Sequence, residues 1–120
     1  MYPQGRSNPF ASVPEVDADT AYKQFTSGEV GILDVRDPYE WEEGHIEGVD
    51  WIPLDQLQMR WREVDPNRHW VCVCHVGVRS IYAAALLRQK GIEASSLVGG
   101  IADWQYRGLP VTAPGKVDSR

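Results

Sequence analysis

The strongest constraint in this chain is a short apolar run that stops at a cysteine and gives way to a helix. Trp70-Val-Cys-Val73 reads as a buried strand, and an Ala/Leu-rich run leading to Lys90 reads as a helix. Between them lies a tight loop that opens on Cys74 and closes on Arg79-Ser80. A strand ending at a cysteine, with a helix starting just beyond, sets the sulfur at a helix N-terminus. Free backbone N–H groups converge there, and the helix dipole favours negative charge. A thiolate is the natural occupant, so Cys74 is the candidate nucleophile. An isolated free cysteine is more often a small buried hydrophobe, and that reading is kept for Cys72.

The rest of the chain alternates between strand and helix signals. Residues 1–10 show no periodicity and read as an irregular arm. Ala11-Ser-Val13 reads as a short edge strand ended by Pro14. Asp17 to Phe25 reads as a helix, with Asp17 or Asp19 as N-cap, an apolar stripe of Ala21, Tyr22 and Phe25, and a stop at Gly28. Val30 to Val35 is apolar nearly throughout, as a strand covered on both faces requires. Asp37-Pro38 starts a short helix that ends at Gly44. A brief strand is expected over 50–52, and helical spacing over 54–64. After the central strand and helix, Ala94 to Val98 is the last strand and Ile101 to Arg107 the last helix. Leu109 to Val111 is expected to cross the surface, and Ala113 to Arg120 to form a frayed tail. Strands alternating with helices imply an α/β fold of three α/β/α layers around a mostly parallel five-stranded sheet. The whole chain then forms one domain, with its core over about residues 11–111. Ligands of such sheets bind at the carboxyl ends of the strands, where Asp34 and Cys74 both lie.

Composition narrows the function. Hydrophobic residues make up 42% and charged residues 24%, which suits a globular domain. A net charge of −5 and the lack of a long apolar run argue against nucleic acid and membrane as partners. Residues 1–12 lack the apolar region of a signal peptide. The two cysteines sit at alternate positions of one strand and make poor disulfide partners. A reducing cytoplasm is the expected setting. Cys72, Cys74 and His75 lack a fourth ligand for a metal site, so neither metal nor other cofactor is expected. The five tryptophans have no basic stripe beside them and read as packing residues rather than a stacking platform.

The loop C-x-x-G-x-R-S resembles the active-site loop of the rhodanese family, sulfurtransferases that carry sulfur as a cysteine persulfide. Three further segments resemble rhodanese motifs, in the family's order. They are Ile32-Leu-Asp34-Val-Arg36 with Pro38 and Glu40, then Gly44-His45-Ile46 with Gly48 and Ile52-Pro53, and Val98-Gly99-Gly100-Ile101 with Trp104. The resemblance implies a sulfurtransferase of the thiosulfate type, with Cys74 catalytic and His75, Val76, Gly77, Val78, Arg79 and Ser80 forming the substrate-binding loop. Its partners would be a small sulfur donor and a thiophilic acceptor such as cyanide or a thiol, with the protein acting as a monomer. Phosphate- and arsenate-handling relatives have a loop one residue longer, because a phosphoryl group needs a wider ring of N–H donors. Here only His75, Val76, Gly77 and Val78 separate Cys74 from Arg79. Some family members bind or relay sulfur without turnover, and that alternative stays open.

Individual roles are less determined. Arg79 is unfavourable in the first turn of a helix, so a substrate anion or a carboxylate such as Asp34 should hold it. Asp34 and Arg36 support the site or form an ion pair tying their strand to the loop. Gly77 should supply a positive φ. Ser80 caps the helix or donates to the sulfur. His75 reads as a rim residue rather than a proton carrier, and His45 as structural.

Overall fold

The structure, a computed structural model, describes residues 12–112. The arm expected over 1–10 and the tail over 113–120 lie outside the described residues. Five strands form one sheet: β1 (Glu15–Val16), β2 (Val30–Asp34), β3 (Asp50–Trp51), β4 (His69–Val73) and β5 (Ala94–Leu97). Their spatial order is β1-β5-β4-β2-β3, and every pairing is parallel. Five helices accompany them: α1 (Ala18–Thr26), α2 (Pro38–Glu43), α3 (Leu54–Arg60), α4 (Arg79–Gln89) and α5 (Gly100–Tyr106). The helical spacing expected over 54–64 is divided, because α3 gives way to a single 3-10 turn at Trp61–Glu63.

Alternation along β4 divides the core. Trp70, Cys72 and Cys74 face one side, where they pack with Leu33, Leu57, Ala83, Ala84 and Leu87 under α3 and α4. Val71 and Val73 face the other, with Ile32, Ala18, Ala21, Ile101 and Trp104 under α1 and α5. Burying a Leu or Ile in this way stabilises the fold by roughly 1.5–3 kcal/mol each. α4 presents alanines to the sheet, so its axis can lie close to β4 and its first turn falls beside Cys74.

The first edge strand is shifted from its expected position. Ser12 and Val13 are not in a strand, and β1 follows Pro14 instead of ending at it. Proline lacks a donor but keeps its carbonyl, which accepts from Ser96 N at 2.9 Å and starts the pairing with β5. Asp17 is the N-cap of α1, its carboxylate accepting from Thr20 N at 2.9 Å. Leu109 and Val111 are partly buried against the core rather than merely crossing the surface. Thr112 N donates to His45 O there at 2.7 Å.

Candidate active site

Cys74 is the residue after β4, and it is 1% exposed. Its sulfur accepts from two backbone amides, Gly77 N at 3.1 Å and Ser80 N at 3.3 Å. The thiol also lies 3.4 Å from Ser80 Oγ, toward which it donates. Val78 gives α4 no side-chain cap. The sulfur therefore does what a capping side chain does elsewhere, satisfying an orphan amide of the first turn. Two amides and one hydroxyl of the loop converge on a single sulfur. Ser80 thus acts through both its amide and its hydroxyl.

The loop is held in this conformation from outside. The Cys74 and His75 carbonyls accept from Ile101 N at 2.9 Å and Ala102 N at 3.0 Å, at the start of α5. With these carbonyls tied to α5, Gly77 N and Ser80 N are left to face the sulfur. The contact is close enough that a Cβ on Gly100 would collide with His75 O. Gly77 has φ +103°, the left-handed region expected of it, and its Cα side lies against Gly99 N and Leu97 O. Val76 and Val78 are exposed on the rim, and His75 is exposed and lines a polar cleft of about 370 Å³ with Tyr39, Glu43 and Gln105.

Arg79 is held by a carboxylate, but not by Asp34. Its Nη1 and Nη2 donate to Glu40 Oε1 at 2.9 Å and Oε2 at 2.8 Å, and Asp37 lies 4.0 Å away. Asp34 is already engaged by Arg36. Arg36 Nε donates to both Asp34 oxygens at 3.0 and 3.1 Å, and Nη2 donates to Oδ2 at 2.9 Å. Both residues are buried, so the pair ties β2 down as an ion pair. It reaches α2 rather than the cysteine loop, through Arg36 Nη1 to Glu40 O at 3.3 Å and Nη2 to Gly44 O at 2.8 Å. Glu40 then makes the connection to Arg79. The sequence reading did not assign this partner of Arg79: the motif contained it, but nothing local links it to a residue 39 positions away.

The Glu40–Arg79 hydrogen bonds hold the Glu40 carboxyl below its ordinary value and raise that of the Arg79 guanidinium. A carboxylate whose folded value is depressed adds stability above its unfolded value of 4.5, and that stability is lost as pH falls through the lower folded value. Glu40→Gln is therefore expected to flatten the fall in urea midpoint between about pH 5 and about pH 3. An unchanged acid slope would show that the pair contributes nothing. Glu40 also has a reciprocal capping contact at the start of α2, accepting from Asp37 N at 2.9 Å through Oε1.

Cys72 shares with Cys74 its side of the sheet and its burial, but it lies within β4 rather than at the mouth of the loop. It is fully buried, and burial pushes its thiol up to about 12. It stays protonated at neutral pH and serves as packing, as expected. Among the described residues, no group of three or more His, Cys, Asp or Glu is placed to hold a metal. His45 is structural in geometry: its ring stacks on Trp41 at 3.6 Å between centroids, and its Nδ1 lies 2.9 Å from Trp41 O. Of the tryptophans, Trp41 stacks on Trp51 as well, while Trp70 and Trp104 are buried in the two halves of the core. No helix among the described residues is long and apolar enough to cross a membrane.

Residues 17–107 match the model of the rhodanese-like domain. The "Sulfurtransferase" of Allochromatium vinosum is 34% identical over 104 residues, covering 85% of this chain and 97% of that protein. The "Putative sulfur carrier protein YrkF" of Bacillus subtilis is 35% identical over 96 residues, covering 78% of this chain. This chain spans about half of the Bacillus protein, 52% of its length. A crystal structure of a rhodanese-related protein from Thermoplasma volcanium superposes with a TM-score of 0.78 at 29% identity, covering 82% of this chain and 97% of that one. By sequence and by fold, the chain belongs to the rhodanese-like domain family.

Proposed function

We propose that the protein is a sulfurtransferase of the thiosulfate type with Cys74 as its nucleophile. The observation that carries this reading is the pair of amides, Gly77 N and Ser80 N, aimed at the Cys74 sulfur inside a loop of four residues. The Cys74 thiolate attacks the outer sulfur of thiosulfate. The S–S bond of the donor breaks, sulfite leaves with the electron pair, and Cys74 is left as a persulfide anion. A thiophile such as cyanide or a thiolate then attacks the outer sulfur and returns the Cys74 thiolate. The reaction is covalent catalysis in two displacements, so ping-pong kinetics follow. His75, Val76, Gly77 and Val78 form the wall of the sulfur site, Arg79 supplies positive charge at its rim, and Asp34 and Arg36 support it through α2. No metal or organic cofactor takes part. The free cysteines suit a reducing cytoplasm, where the protein acts as a monomer.

A sulfur-relay module is the second reading, and one observation favours it. Arg79 is engaged on both nitrogens by Glu40, with Asp37 close by, so much of its charge is offset toward a dianionic donor. A persulfide delivered by a protein thiol carries less charge and would be repelled less. A steady-state assay with thiosulfate and cyanide, run beside intact-mass measurement, separates the two. Turnover with a mass gain of one sulfur on Cys74 is the expected result. Stoichiometric loading without turnover would favour relay. Aryl phosphate hydrolysis is expected to be absent, because the short loop lacks room for three phosphoryl oxygens; robust hydrolysis would overturn the sulfurtransferase reading.

A further inference from the structure

Behind the sulfur lies a pair of hydroxyls, the second of which has no part in the proposed chemistry. Ser80 Oγ is 2.7 Å from Ser96 Oγ, and either hydroxyl can be the donor. Both serines are almost fully buried, Ser80 at 0% and Ser96 at 1% exposure. Ser96 stands on β5 beside Cys72 of β4, in a strand otherwise given to packing. Among the described residues its hydroxyl meets that of Ser80, and the Ser80 hydroxyl in turn meets the Cys74 sulfur. The three atoms form a chain, Sγ to Oγ to Oγ, running from the loop into the core.

Counting protons along this chain shows what it prefers. With a neutral thiol, three protons must be placed on three atoms joined by two links. The thiol donates to Ser80, Ser80 donates to Ser96, and the Ser96 proton is left over, with no further acceptor among the described residues. With a thiolate, two protons serve two links. Ser96 donates to Ser80, Ser80 donates to the sulfur, and every proton is used. A buried donor left unpaired is unfavourable, and a hydrogen bond to a charge is the stronger kind. The same chain is therefore better satisfied when the sulfur is negative. Donation from Ser96 also polarises the Ser80 hydroxyl, strengthening its bond to the anion.

We infer that Ser96 is a positioning residue of the sulfur site: it orients the Ser80 hydroxyl toward Cys74 and so favours the reactive anion. The inference rests on Cys74 being the nucleophile, but it concerns the thiol itself and can be read without any sulfur transfer. Other groups act on the same sulfur. Arg79 of α4 acts on it as a full charge, paired with Glu40 of α2 and close to Asp37 at the cap of that helix, Cys72 of β4 shares the face, and His75 follows in the loop. α5 touches the loop through the Ile101 and Ala102 amides. Ser96 is itself none of these groups, and a Cys72→Ala background removes the thiol that stands beside it on the sheet.

The test is the pH profile of iodoacetamide alkylation at Cys74, read by mass in a Cys72→Ala background. Ser96→Ala is expected to slow alkylation near pH 7 by roughly two- to fourfold and move the profile to higher pH, the share of one cooperative link. Ser80→Ala is expected to slow it by at least about tenfold, because the direct bond is lost. In the Ser80→Ala background, adding Ser96→Ala should change nothing further, since Ser96 acts only through Ser80. Ser96→Thr, which keeps the hydroxyl, should restore the native profile. A native profile in Ser96→Ala, or an equal effect in both backgrounds, would overturn the inference. Sulfur transfer that survives Cys74→Ser would sink the nucleophile reading instead, leaving the alkylation result to stand on its own.

Discussion

Cys74→Ser is expected to reduce sulfur transfer to the background rate while leaving the melting curve close to native. Serine is nearly isosteric with cysteine, and its oxygen can still accept from Gly77 N and Ser80 N, which the sulfur now satisfies at 3.1 and 3.3 Å. The loop therefore keeps its cap. What is lost is the proposed nucleophile, since a serine hydroxyl at neutral pH is un-ionised and a poor partner for sulfur. Cys72→Ala gives the opposite result. Its thiol is wholly buried and pushed up to about 12, so no thiolate is available to attack. Losing that sulfur leaves a small void and destabilises by about 1 kcal/mol, with most of the activity retained. The checks are thiosulfate–cyanide turnover, intact mass after incubation with donor, and thermal melting for each variant. Exchange of the two outcomes would move the nucleophile from Cys74 to Cys72. Such a result would require the core under α4 to open.

What the sequence displays about this fold follows the range of the interactions involved. The Cys74 loop is legible because its partners lie within seven residues: sulfur, Gly77, Ser80 and the helix that starts at Arg79. The central strands are legible because a parallel sheet covered on both faces needs continuous apolar runs, and β2 and β4 are buried almost throughout. β1 was placed too early, because proline ends a strand by its missing donor yet begins one by its carbonyl, and sequence does not say which side is paired. Glu40 and Ser96 were not assigned roles for a different reason. A glutamate on a short helix and a serine in a strand carry no local sign of their partners. Only the sheet order, with β4 between β2 and β5, brings α2 and β5 to opposite sides of the same loop. Asp34 was the natural guess for Arg79 because both lie at the carboxyl edge of the sheet; the buried guanidinium of Arg36, two residues along the chain, has the prior claim on it.

Asp34→Ala is expected to be the most destabilising single change outside the sulfur site, lowering stability by about 3–5 kcal/mol. Arg36 is 4% exposed and its charge is compensated by the Asp34 carboxylate, which is 1% exposed. Removing the carboxylate leaves a guanidinium in the core with the Glu40 and Gly44 carbonyls as its remaining side-chain hydrogen-bond partners among the described residues. A buried charge without its counter-ion is far less favourable than a removed pair. The double variant Asp34→Leu with Arg36→Met should therefore recover much of the stability lost by the single one. It should not recover sulfur transfer to the same degree. Arg36 fixes the Glu40 and Gly44 carbonyls, and Glu40 in turn holds Arg79 at the rim of the loop. With Arg36 replaced, α2 loses that anchor, so turnover should fall even where the urea midpoint has returned. Urea denaturation and thiosulfate turnover, measured on both variants, separate the two roles. A stability loss under about 1 kcal/mol in Asp34→Ala would mean that the guanidinium finds water or another partner. Full turnover in the double variant would mean that Glu40 reaches Arg79 without help from β2.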